Sequence, residues 1–64
     1  MKFAYCFLYY SSKRVLVNFE DVDYIEEFED EKDPTKKKTR IYFSYENYIF
    51  IEVKESIWKI GELL

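Results

Sequence analysis

The sequence predicts an α+β fold: a small antiparallel sheet of four or five strands, made from two hairpins and closed by one short C-terminal helix. Three observations carry that expectation. Aromatic and β-branched residues alternate through 2–10, 13–19, 39–45 and 48–54, the period of two expected of strands. Short polar pairs, Ser11-Ser12 and Glu46-Asn47, separate the strands within each half. Apolar residues at helical spacing then follow Ser56. With 64 residues there is room for one domain spanning 1–64.

In residues 2–10, Phe3, Tyr5, Phe7 and Tyr9 fall on one face and Ala4, Cys6, Leu8 and Tyr10 on the other. A strand apolar on both faces belongs in the middle of a structure, or needs a helix or another subunit over its second face. After the Ser11-Ser12 turn, Val15, Val17 and Phe19 alternate with Arg14, Leu16 and Asn18, completing a hairpin. The next stretch reads two ways. Phe19, Val22, Ile25 and Phe28 recur every three residues, as on an amphipathic helix capped by Asn18, with Asp21 three positions on. With period two, a short turn at 19–22 precedes a strand at about 23–30; this reading is preferred, and both stay open. Residues 31–38, with Asp33-Pro34 and Lys36-Lys37-Lys38, form the expected loop. The second hairpin joins 39–45 to 48–54 through Glu46-Asn47. Ser56 is the expected N-cap of the closing helix, which sets Ile57, Ile60 and Leu64 on one stripe and leaves Trp58 and Leu63 off it.

Composition narrows the function. There is no histidine, one cysteine and one glycine. The commonest general base and metal ligand is therefore missing, as are a disulfide framework and a glycine-rich phosphate loop. Serine or cysteine nucleophiles lack an activating base. No enzyme, cofactor or metal is expected. The apolar start, 3–10, is too short for a membrane helix and is followed by a poor cleavage site. A cytoplasmic protein without a membrane partner is expected, in keeping with a free Cys6.

A chain of about 60 residues buries only about 60% of its unfolded surface and usually needs a disulfide, a metal or an oligomer. This chain carries fourteen aromatic residues and none of the first two devices. A homo-oligomer, or contact with another protein, is the expected remedy, with Tyr5, Phe7, Tyr9 and Trp58 as candidate surface residues. Nine of thirteen carboxylates lie in positions 20–33, a window of net charge −8. Glu26, Glu27, Glu29, Asp30 and Glu31 form the acidic part of the candidate surface. On an edge strand they would guard against aggregation. The alternative function is an acidic phage-type inhibitor, a DNA mimic or anti-defence protein, whose carboxylates imitate a phosphate row and occupy a nucleic-acid-processing enzyme. Lys36-Lys37-Lys38 and Arg40 add four positive charges beside that run, so pairing with it is the simpler account and nucleic-acid binding is not expected. Tyr42, Tyr45, Tyr48, Phe50 and Trp58 offer a base-stacking platform, with ordinary packing as the favoured reading.

The stretches Leu16–Glu27, Arg40–Ser44 and Val53–Ile60 resemble the small FlbD-type family, found near bacterial flagellar and swarming motility genes, and similar short phage proteins. The shared features are an Asn after the second strand, an Ile-Glu in the third and Val-x-Glu-Ser before the last helix. The resemblance implies a small β-rich, oligomeric domain closed by a helix, with no catalytic residues to carry over. Family members have a glycine in each hairpin turn, where this chain has Ser11-Ser12 and Glu46-Asn47.

Overall fold

The computed structural model describes residues 2–44 and 49–64. Strands β1 (Phe3–Phe7) and β2 (Arg14–Asn18) form an antiparallel hairpin. A 3-10 turn (Phe19–Asp21) leads into β3 (Val22–Glu29), which pairs with β4 (Lys37–Phe43), itself paired with β5 (Phe50–Val53). Helix α1 (Ile57–Leu63) closes the chain. The α+β class holds, but the expected single sheet of four or five strands does not. The described strands divide into a two-stranded sheet and a three-stranded sheet, β3-β4-β5.

The division has a local cause. The first strand, expected over 2–10, ends at Phe7, because Tyr9 and Tyr10 turn away. Only its end reaches β5: Leu8 bridges Val53, Tyr9 N–H donates to the Glu52 carbonyl at 2.8 Å, and Lys54 N–H donates to the Phe7 carbonyl at 2.8 Å. Ser12 closes the β1–β2 connection at φ 60°, the left-handed region that favours glycine.

Asn18 explains why 19–29 suited both readings. It does cap a helical turn, accepting from Glu20 N–H at 3.1 Å, but the turn is one turn of 3-10 helix. Strand β3 follows directly, kinked by a register shift between Val22 and Tyr24. The loop expected over 31–38 is shorter at its end, since Lys37 and Lys38 already pair with Glu29 and Phe28. The second hairpin is present as β4–β5; its proposed turn, Glu46-Asn47, lies outside the described residues. Ser56 caps α1 as expected, its Oγ accepting from Lys59 N–H at 3.1 Å.

The core forms between the sheets and α1 from Cys6, Val17, Ile41, Val53 and Ile60, with Leu8, Val15, Phe19, Ile25 and Ile51 packed around it. Ile60 is the buried residue of the helix; Leu64 of the expected stripe is exposed. Among the described residues, no helix is long and apolar enough to cross a membrane.

Candidate interaction surfaces

Alternation along β1 sends Ala4 and Cys6 into the core and Phe3, Tyr5 and Phe7 outward. The register places Asn18, Leu16 and Arg14 opposite them on the same outward face. Phe3, Tyr5, Phe7 and Leu16 are 46%, 58%, 43% and 55% exposed. Arg14 lies over the Tyr5 ring, 4.9 Å from its centroid, a weak cation–π contact at an exposed site. The second face of the first strand, expected to lie in the middle of the structure or under a helix or another subunit, is thus open.

The edge of β1 is also partly open. Phe7 turns its backbone away from β2: its N–H donates to the Glu55 carboxylate at 3.0 Å and its carbonyl accepts from Lys54. Alternation along an antiparallel ladder points the N–H and C=O groups of Phe3 and Tyr5 the same way. No described residue meets them there. The strand Phe3–Phe7 contains no charge and no proline, the devices that commonly guard an edge.

The outward face of β3-β4-β5 is built differently. Tyr24 stacks on Tyr42 with centroids 4.4 Å apart, and Phe50 lies 5.6 Å from Tyr42. The Arg40 guanidinium sits between Phe28 and Phe50, 4.4 and 4.2 Å from their rings, and two of its N–H groups converge on Glu52 Oε2 at 2.9 and 3.1 Å. Lys38 shares that carboxylate at 3.3 Å and donates to the Tyr10 hydroxyl at 2.9 Å. The Tyr10 hydroxyl and then Glu52 hold Lys38 above the ordinary lysine range, against the effect of its burial. Of the stacking residues named from sequence, Tyr42 and Phe50 meet here, Trp58 is exposed on α1 away from any described ring, and Tyr45 and Tyr48 lie outside the described residues.

The acidic residues scatter into different roles. Glu26 and Glu29 face Arg40 and Lys37 across the ladder, and Glu31 is exposed. Glu27 Oε2 accepts from Ile57 N–H at the start of α1, at 3.4 Å. Asp30 accepts from the Tyr9 hydroxyl at 2.5 Å and from Lys32 N–H at 2.8 Å. The Tyr9 bond holds Asp30 below the usual carboxylate range and pushes Tyr9 up to about 12. Tyr9 therefore leaves the company of Tyr5 and Phe7. With Glu27 and Asp30 turned to internal partners, the run is not an evenly spaced row of free carboxylates.

Sequence reasoning missed the shared Glu52 carboxylate. Lys38 and Arg40 were expected to pair with the acidic run at 20–33, but the carboxylate they share is Glu52 of β5, fourteen positions from Lys38 and outside that run. No protein-family model, curated protein or solved structure matches this chain.

Proposed function

We propose that this chain is a non-enzymatic, oligomer-forming protein–protein interaction module, and that its first partner is a second copy of itself docked on the outward face and open edge of β1. The observation that carries this reading is the exposed row Phe3, Tyr5 and Phe7, with Leu16 beside it. At roughly 200 Å² for a full aromatic side chain, four half-exposed residues present on the order of 400 Å² of apolar surface. That is about half of the ~800 Å² each partner contributes to a standard interface. The unpaired backbone groups of Phe3 and Tyr5 can supply antiparallel hydrogen bonds to the same strand of a copy, which self-complementary two-fold pairing requires. Arg14 and Asn18 make a polar rim.

Sedimentation velocity on the full chain at micromolar concentration tests this. The expected result is a dimer or larger that Tyr5→Lys converts to a monomer, with the far-ultraviolet dichroism unchanged because Tyr5 is outside the core. A parent chain that sediments as a monomer across that range overturns the proposal.

A further inference from the structure

Four lysines from two stretches of the chain line one open cavity of about 580 Å³: Lys32, Lys36 and Lys37 from the β3–β4 connection and the first residue of β4, and Lys54 just after β5. None of the four makes an ion pair with a described residue. Their positions are set by backbone bonds: Asp30 N–H to the Lys36 carbonyl at 2.9 Å, Lys36 N–H to the Asp33 carbonyl at 2.9 Å, and Lys54 N–H to Phe7. One carboxylate, Asp30, also lines the cavity, but its two oxygens already accept from Tyr9 and from Lys32 N–H. The lining therefore carries a net charge of +3 in a chain whose own net charge is −3. A further cation touches the wall, Lys38, whose Nζ donates to the Tyr10 hydroxyl at 2.9 Å. The Tyr10 ring, 73% exposed, forms part of the wall.

We infer that this cavity binds a small organic polyphosphate of the nucleoside diphosphate class. Its volume lies in the range of ~300–1,000 Å³ used for small ligands, well beyond what a lone phosphate fills. A diphosphate ester carries about three negative charges at neutral pH, matching the lining, and lysine ammonium groups hold phosphate oxygens as movable point charges. The exposed ring of Tyr10 offers a surface on which a base can lie. The cavity lies at the Tyr9–Tyr10 turn and the 30–37 loop, apart from Phe3, Tyr5 and Leu16, so this inference does not depend on self-association.

Titration calorimetry of the full chain with ADP at low ionic strength tests it, with adenosine, pyrophosphate and a single-stranded oligonucleotide as comparisons. ADP is expected to bind in the micromolar range, pyrophosphate several-fold more weakly, and adenosine not measurably. The double variant Lys36→Gln/Lys54→Gln should weaken ADP at least tenfold. Tyr10→Leu should weaken ADP about threefold while leaving pyrophosphate unchanged. The thermal midpoint of each variant separates lost binding from lost folding; should Tyr10→Leu unfold, the lysine variant, whose altered side chains are exposed, decides. Absence of ADP binding at millimolar concentration, ADP binding indifferent to the lysine changes, or binding of the oligonucleotide without ADP would each overturn the inference.

Discussion

Tyr9 and Asp30 show how one side-chain bond sets the behaviour of this chain at both ends of the pH scale. The folded state holds Asp30 below its ordinary 3.8, so its contribution is complete at neutral pH and is lost as acid protonates it, beginning near about pH 4. Tyr9 has the opposite sign. Raised from 10.0 to about 12, it contributes fully below its unfolded value and loses that contribution as pH climbs through the folded one. Urea midpoints measured from acid to alkali should fall at both extremes, and Tyr9→Phe should flatten both flanks; parallel curves for parent and variant would remove the bond from the account. Cys6 is different: it is a free thiol in the core. Burial, then the nearby Glu55, push its thiol up to about 11 and the side chain is fully enclosed. Alkylation at pH 8 should label it in denaturant and not in the native protein, as mass spectrometry would show.

At the scale of elements, the Lys38–Glu52–Arg40 grouping ties β4 to β5 on the face away from the core. Its Glu52 side chain is 14% exposed and answers two cations. Removing it strands both in a poorly hydrated layer, so Glu52→Ala should lower the melting temperature more than Lys38→Met, which removes a charge and keeps the packing. Thermal unfolding followed by circular dichroism distinguishes the two. Local features of this kind were legible from sequence to different degrees. Asn18 and Ser56 act on amides two or three residues away, and both caps were readable from neighbouring residues alone. The strand at β3 was readable, though a three-residue apolar repeat competed with it. The burial of Lys38 was not, because its reason lies on another strand. The loss of Tyr9 from the β1 face was not either, since its partner Asp30 is twenty-one positions away. Of the candidate surface, Tyr5 and Phe7 sit together as periodicity implied, while the carboxylates were parcelled out by contacts no local pattern encodes.

For the molecule as a whole, the margin of stability is narrow. Below about 70–80 residues a single core rarely supplies more than ~3–5 kcal/mol, and here it rests on a few fully buried side chains, with Ile41 among the largest. Truncating Ile41 to alanine should cost about 2–5 kcal/mol, enough to leave the chain largely unfolded at room temperature by dichroism; a cooperative melt near the parent's would show that burial is supplied elsewhere. The division into two sheets was the part of the architecture hardest to foresee, because it depends on where one strand stops. The bridge between Leu8 and Val53 then acquires a meaning in time. Amino acids near position 8 leave the ribosome long before those near 53, so the seam joining the hairpin to the rest can be sewn only once β5 has emerged. Until then the aromatic first strand, already zipped to β2 along one side, waits with its other backbone flank free for whatever hydrogen-bonding neighbour arrives first.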